Sequence, residues 1–155
     1  DIVEGVLSGK SGRLYKKLVK DLKLAVSASA GNDADKYTSS FQVSVNLDGA
    51  PPLDKVEQAV WDVLDDMAKN PISDRELQRA RNQVAARAVR SVEDLEDLST
   101  ELAYWEMRGG WEYINRFPES VQKVSAEQVQ QVCAKYFKRD AATIGAVLPK
   151  TGDKP

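Results

Sequence analysis

A run of strict alternation between apolar and polar residues constrains the fold more than any other feature of this sequence. The apolar members of the run occupy every second position, at Phe41, Val43, Val45 and Leu47. A period of two is that of a β-strand with one buried face. Upstream, small apolar residues alternate with serine, and a Gly-Asn-Asp turn signal separates the two runs. The pattern predicts two strands, near 25–31 and 38–47, joined in a hairpin whose loop lies near 31–36.

Helical patterns surround this hairpin. Leucines spaced by four predict an amphipathic helix from about Ser8 to Lys23, in which Ser8 or Ser11 is the helix cap. Apolar residues at helical spacing predict a second helix over 53–69. The segment from Trp111 to Phe117, bracketed by glycines and a proline, is interpreted as a short helix or turn.

Helix-start signals of one type occur three times in the second half of the chain. Ser73 with Glu76 and Ser125 with Gln128 form capping boxes, and each box is preceded by an apolar residue that can act as a hydrophobic staple. Ser91 with Asp94 is a looser pair of the same kind. These signals predict helices that begin near residues 73, 91 and 125.

The chain ends in a run of small and β-branched residues at 141–148, stopped by Pro149, which predicts a third strand. With 155 residues, the chain has the length of one domain. We therefore expect an α+β fold over 1–155, in which an antiparallel three-stranded sheet packs with about five helices.

Composition excludes several classes of function. The sequence contains no histidine, which removes imidazole acid/base catalysis and the commonest zinc ligand. Its single cysteine, Cys133, cannot form an internal disulfide, and without a histidine it lacks the usual activating base. A net charge of −2 argues against nucleic acid as a partner, and no apolar run is long enough for a membrane span.

Two charged segments could suggest a phosphate site and a calcium site, but neither has the required pattern. Gly9-Lys10-Ser11 lacks the spacing of a phosphate-binding loop, because only three residues separate Gly5 from Gly9. Six carboxylates lie in the segment 91–106, which contains no lysine or arginine but lacks the ligand pattern of a calcium loop. We expect the acids at 93–97 to favour the helix N-terminus and to face the preceding arginine-rich helix, at Arg75, Arg79, Arg81, Arg87 and Arg90.

A family resemblance adds to this interpretation. It is carried by several stretches in a fixed order: Leu7-Ser-Gly-Lys-Ser-Gly-Arg-Leu-Tyr15, Leu18-Val-Lys-Asp-Leu-Lys-Leu-Ala25, Ser73-Asp-Arg-Glu-Leu-Gln-Arg-Ala-Arg-Asn-Gln83, Val124-Ser-Ala-Glu-Gln-Val-Gln-Gln-Val132, Tyr136-Phe137 and Leu148-Pro149. Together they resemble the second lobe of a domain of the M16 zinc metallopeptidases (insulinase, pitrilysin and the processing peptidases). The resemblance implies a metallohydrolase-like (LuxS-like) domain.

The resemblance also implies a division of labour. The family's catalytic signature, His-x-x-Glu-His with a later Glu, is absent, so no residue here is assigned to catalysis or to a metal, and the chain alone is expected to be inactive. In the family's inactive domains, Leu-Arg-x-x-x-x-Leu-Ala-Tyr is a common pattern, and Val19 and Val26 replace its Arg and Tyr. The resemblance places Arg13, Tyr15, Val19 and Val26 at a substrate chamber.

Two functions from different classes follow from the resemblance. The chain is a non-catalytic part of a bacterial M16-type zinc metallopeptidase, which shapes a chamber for unfolded peptides while another segment holds the zinc. Alternatively, it is a lobe of a wholly inactive scaffold or binding protein. For the first function, the partners are the catalytic lobe or domain of the same parent protein and unfolded peptide substrates. The resemblance suggests the bacterial periplasm or cell envelope as the location, with the cytoplasm as the alternative.

The chain opens with Asp-Ile-Val-Glu, without an initiator methionine or a signal-peptide pattern, and we expect it to be a piece of a longer protein. Such a piece would retain three strands and lack their neighbours. An unpaired apolar strand edge is a template for pairing with another chain. We therefore expect a homodimer that forms through the sheet edge.

Overall fold

A computed structural model describes residues 1–34 and 36–148, and within them the α+β class is confirmed. The helices are α1 (Ile2–Leu7), α2 (Arg13–Tyr15), α3 (Leu53–Lys69), α4 (Asp74–Arg90), α5 (Leu95–Arg108), α6 (Tyr113–Gln122) and α7 (Ala126–Tyr136). A π-helical turn, Lys16–Asp21, continues α2, and a 3-10 turn, Arg139–Ala141, follows α7. The strands are β1 (Ala25–Ala34) and β2 (Ser39–Leu47).

The hairpin is confirmed, but its first strand is longer than predicted. β1 and β2 pair antiparallel, and Gly31, Asn32 and Asp33 are paired residues of β1 rather than part of a loop at 31–36. The Asp33 carboxylate accepts hydrogen bonds from Gln42 at 3.1 Å and Ser40 at 3.4 Å on the opposite strand. These cross-strand contacts extend the ladder through residues that commonly form turns.

The helix predicted from Ser8 to Lys23 is interrupted. Gly9 has a φ of +78°, and α2 begins only at Arg13, with Gly12 as its N-cap and no capping side chain. The assignment of Ser8 or Ser11 as a helix N-cap was therefore wrong. A Cβ at Gly12 would collide with the carbonyl oxygens of Leu7 and Ser8, so glycine is needed where the chain folds back on α1.

The outer edge of β1 is closed at one point by Ser8, which follows α1. The Ser8 hydroxyl accepts a hydrogen bond from the Ala30 N–H at 2.8 Å and donates one to the Ala30 carbonyl at 3.0 Å. A side chain thus satisfies two backbone groups that a neighbouring strand would otherwise pair with. The sheet edge expected to mediate a homodimer is therefore blocked on β1 at this residue.

The capping boxes are confirmed at both predicted sites. Ser73 and Glu76 cap α4, and Ser125 and Gln128 cap α7, each with both reciprocal hydrogen bonds. The helix start predicted near Ser91 from the looser signal was wrong by four residues, because α5 begins at Leu95. There α4 continues to Arg90, and Asp94 is itself the N-cap of α5, accepting from the Glu96 N–H at 2.7 Å.

The third strand predicted at 141–148 does not form within the described residues. Residues 142–148 are exposed and have no ladder partner, and Val147 is 97% exposed. A β-prone run becomes a strand only where another strand can pair with it. Pro149, the predicted stop, lies outside the described residues, as does the tail that follows it.

The core lies between the hairpin and helices α1 to α4. All but three of its fully buried apolar side chains belong to residues 2–84, and the exceptions are Val121, Val129 and Cys133. The apolar face of β2 packs on this core, where Phe41 meets Phe137 with ring centroids 5.0 Å apart. Since α5 contributes no buried residue, the second half of the chain covers the core only in part.

Candidate functional site

An ion-pair cluster holds the first of the predicted chamber residues, Arg13. Its Nε and one terminal nitrogen donate to the two carboxylate oxygens of Glu76 at 2.8 and 2.9 Å, and its other terminal nitrogen donates to Asp66 at 2.7 Å. The cluster joins α2 to the end of α3 and the start of α4. The bond to Arg13 lowers the pKa of Glu76 to about 2 and raises that of the guanidinium. Arg13 thus positions three helices.

The second and third predicted residues lie just beyond it. Tyr15 is half-buried at the end of α2, and Val19 lies within the π-helical turn, half-buried against the core. The turn closes with Leu22 N–H donating to the Lys17 carbonyl at 3.0 Å and Leu24 N–H donating to that of Leu18 at 2.8 Å. Lys23 completes this ending with a φ of +52°. Val19 therefore supplies packing, because its side chain has no group that can donate or accept a hydrogen bond.

The fourth predicted residue, Val26, is the extra residue of a β-bulge. Ala25 pairs with Leu47 and Ser27 pairs with Asn46, so no residue of β2 lies opposite Val26. Its side chain is 58% exposed. Bulges often redirect a side chain beside a functional surface. Of the four predicted residues, Val26 is the most accessible to a ligand.

One face of the hairpin carries polar side chains and is turned away from the core. It consists of Ser27, Ser29, Gly31, Asp33, Ser40, Gln42, Ser44 and Asn46, of which only Asp33 is charged. The Asn46 amide donates to the Ser27 hydroxyl at 2.7 Å, next to Val26. Hydroxyl and amide groups can exchange hydrogen bonds with any peptide backbone without selecting for charge. We call these eight residues the open sheet face.

Sequence reasoning did not identify the open sheet face, although its signal was present. The alternation in β2 was interpreted for its apolar members, which locate the core. The intervening polar members are serine, glutamine and asparagine rather than the lysine and glutamate common on solvated strands. Four uncharged polar residues at every second position were the available indication.

The predicted contact between the arginines of α4 and the acids at 93–97 was wrong. Arg87 pairs with Glu4 at 2.8 Å, Arg79 donates to the Ser11 carbonyl at 2.6 Å, and Arg81 donates to the Val124 carbonyl at 2.8 Å. Within the described residues, no ion pair joins α4 to the acidic segment. The guanidinium groups instead bond backbone carbonyls and α1, because those partners lie alongside α4.

The residues present do not fit a zinc site. The sequence has no histidine, and no three carboxylates or thiols are grouped at metal-binding distance in the part of the chain that the structure describes. Burial raises the pKa of the Cys133 thiol to about 11, which opposes the thiolate form that zinc requires.

Over the ranges 1–34 and 36–148, no helix is both long enough and apolar enough to cross a bilayer.

Comparison with known proteins identifies a family. The family model for the peptidase M16 inactive domain matches residues 1–84. No curated protein sequence gives a significant match.

Solved structures from several bacteria share the fold. The inactive peptidase domain of a candidate zinc protease from Bordetella parapertussis superposes with a TM-score of 0.87 and 24% identity, over 98% of this chain and 83% of that one. A candidate zinc protease from Bordetella pertussis Tohama I gives 0.85 and 24%, over 97% and 83%. A peptidase M16 inactive domain from Pseudomonas fluorescens gives 0.75 and 19%, over 86% and 32%. At these identities the likeness concerns the fold.

Proposed function

Because this chain belongs to the peptidase M16 family and carries its inactive domain, we propose that it forms one wall of a peptide-binding chamber in a bacterial zinc metallopeptidase. Another segment of the parent protein holds the zinc. The bacterial origin of the structural neighbours supports the assignment to bacteria. The assignment of the zinc to another segment is supported by the residues that the structure describes, which do not fit a zinc site.

The open sheet face is the observation that carries this proposal. An enzyme that accepts unfolded peptides of varied sequence needs a wall that binds the backbone and tolerates different side chains. Serine, glutamine and asparagine provide both donors and acceptors, and a single carboxylate, Asp33, lies near the tip of the hairpin. Val26 adds an apolar contact at the other end of the strand pair.

The two valines at the family's Arg and Tyr positions support a wall rather than a catalytic contribution. Stabilising a developing oxyanion requires a hydrogen-bond donor at the reacting atoms. Neither Val19 nor Val26 has such a donor. The chain therefore contributes shape and backbone contacts, and transition-state stabilisation falls to other parts of the parent enzyme.

Site-specific photo-crosslinking tests the proposal. A benzoylphenylalanine placed at Ser29 or Ser44, on the open sheet face, should label an unfolded peptide several times more efficiently than one placed at Glu57, an exposed residue of α3. The peptide should be long and unstructured so that its backbone is free to bind. Equal labelling at the three positions would overturn the proposal, because the open sheet face would then have no preference for peptide.

A further inference from the structure

A groove between α1 and α4 has no role in the proposed function. Its volume is about 840 Å³, and its α1 side is lined by the small residues Gly5, Ser8 and Gly9, next to Glu4. Its α4 side carries four arginines, at Arg75, Arg79, Arg87 and Arg90. At Gly5 the two helices approach closely, because a Cβ there would lie 3.1 Å from the Cβ of Ala80.

Among the residues that the structure describes, the positive charge of this groove is not balanced by acidic side chains. Of the described residues that line it, Glu4 alone is acidic, and it pairs with Arg87. Arg79 uses two nitrogens on the carbonyls of Ser11 and Val6. Within the described residues, neither Arg75 nor Arg90 has an acidic partner, and both are exposed. The groove therefore presents a surplus of positive charge to whatever binds it.

The chain itself contains a segment of opposite charge. The segment 93–106 contains six carboxylates and no lysine or arginine, at Glu93, Asp94, Glu96, Asp97, Glu101 and Glu106. None of these carboxylates forms an ion pair with another described residue. The helical acids of this segment, from Glu96 to Glu106, span about 15 Å of α5, which is shorter than the distance of about 22 Å from Arg75 to Arg90 along α4, at about 1.5 Å per residue.

The connection between the two surfaces is apolar and exposed. Val89 at the end of α4 is 60% exposed, Val92 in the connection is 38% exposed, and Leu95 at the start of α5 is 84% exposed. Interfaces commonly have an apolar centre surrounded by charged and polar residues. In a two-fold dimer each patch contacts its complement on the other copy, so an axis near this connection would place the apolar residues at the centre.

We propose that the groove between α1 and α4 binds the acidic segment 93–106 of a second copy of this chain, in a two-fold dimer centred on the α4–α5 connection. The interface is distinct from the sheet edge, which Ser8 closes in part on β1. Because its charges are exposed, the association should be weak and should decrease as salt is added.

A charge-swap experiment tests this dimer by sedimentation velocity. We use one variant with Arg75→Glu and Arg90→Glu, and another with Glu96→Arg and Asp97→Arg. Each variant alone brings like charges together at both contacts and should weaken association at least about tenfold. An equimolar mixture restores opposite charges at both contacts and should recover the affinity of the unaltered chain. Recovery also shows that both variants are folded.

The double change Lys20→Glu and Lys55→Glu alters the same number of exposed charges outside the groove and should leave association unchanged. The proposal is overturned if the unaltered chain stays monomeric at high micromolar concentration and low salt. It is also overturned if the chain associates but neither salt nor the charge reversals weaken association, since that result indicates the sheet edge.

Discussion

Residues 1–84 and residues 85–148 are both built largely from amphipathic helices, yet only the first set is densely packed. The first set contains nearly all of the buried apolar side chains, and polar contacts across long stretches of sequence join its elements, such as Arg13 to Glu76. In the second set, α5 has no buried residue, and its contacts are mainly local, such as the rings of Trp105 and Tyr113 at 4.8 Å.

The difference in packing between the two regions shows that local helix signals and tertiary stability are separate properties. α5 has an N-cap at Asp94 and an acidic first turn, which are favourable features for a helix. These features decide where the helix begins but provide little of its stability, which in proteins comes mostly from burying an apolar face. The family match also ends at residue 84, where dense packing ends. Close contacts restrict the residue types that a position accepts, and this restriction makes a pattern recognisable.

The largest effect should come from breaking the first region at Gly12. The change Gly12→Ala places a Cβ against the carbonyl oxygens of Leu7 and Ser8, which cannot move without displacing α1 from α4. We expect the free energy of unfolding to fall by about 3 kcal/mol or more. Urea unfolding followed by tryptophan fluorescence measures this.

The control for this change is Gly31→Ala in β1, where an added Cβ meets no atom within 4 Å. It should alter the free energy of unfolding by less than about 0.5 kcal/mol. If Gly12→Ala were as mild as Gly31→Ala, the close approach of α2 to α1 would not contribute to the stability of the first region.

The next effect concerns the ion-pair cluster. Arg13→Met keeps most of the apolar stem and removes the partner of Glu76, whose side chain is only 20% exposed. We expect a loss of about 2 kcal/mol, since a carboxylate is left partly buried with fewer hydrogen bonds. Lys17→Met is the control, because its ion pair with Asp62 is longer, at 3.7 Å, and more exposed. It should cost less than about 0.5 kcal/mol.

The same cluster predicts a pH dependence. The folded state lowers the pKa of Glu76 from 4.5 to about 2, so between these values the unfolded chain binds more protons than the folded chain. The stabilisation is fully present above pH 4.5 and is lost as the pH falls toward 2. The free energy of unfolding of the unaltered chain should therefore decrease more steeply over this range than that of Arg13→Met. Identical slopes would show that Arg13 is not the cause of the low pKa.

The correct predictions from the sequence are those that depend on residues close to one another in the chain. The helix starts at Ser73 and Ser125 were predicted correctly because a capping box is a contact between residues three apart. The helix over 53–69 and the pairing of two strands followed from the period of the apolar residues. The class of the fold was predicted because each of these signals is local.

The errors arose where a distant partner decides the structure. The break at Gly9 and Gly12 depends on how closely α2 approaches α1, and the missing strand at 142–148 depends on a ladder partner. The partners of the α4 arginines depend on which backbone carbonyls lie beside them. At the site, the place of Val19 and Val26 at a chamber stays a prediction from the resemblance. The polar members of the open sheet face on β2 were visible in the sequence, whereas their partners on β1 depend on the register of the hairpin.

A smaller effect should follow from opening the outer edge of β1. Ser8→Ala leaves the Ala30 N–H and carbonyl without their hydrogen-bond partner. We expect a loss of about 1–2 kcal/mol, because unsatisfied backbone groups at a partly buried site are costly. Ser29→Ala, on the open sheet face, serves as the control and should change little. Equal losses for the two variants would mean that Ser8 does not seal the edge.

The smallest effect should come from α5, and the two methionines of the chain provide a matched pair for measuring it. Met107 in α5 is 67% exposed, whereas Met67 in α3 is fully buried. Both changes to alanine occur within helices, so the gain in helix propensity is about the same and largely cancels in the comparison. Met67→Ala should cost about 2–5 kcal/mol through lost burial and a cavity. Met107→Ala should cost less than about 0.5 kcal/mol. The measurement belongs at low protein concentration and high salt, where the proposed dimer is dissociated. If Met107→Ala then cost as much as Met67→Ala, α5 would be packed within the monomer, and the contrast between the two regions would fail.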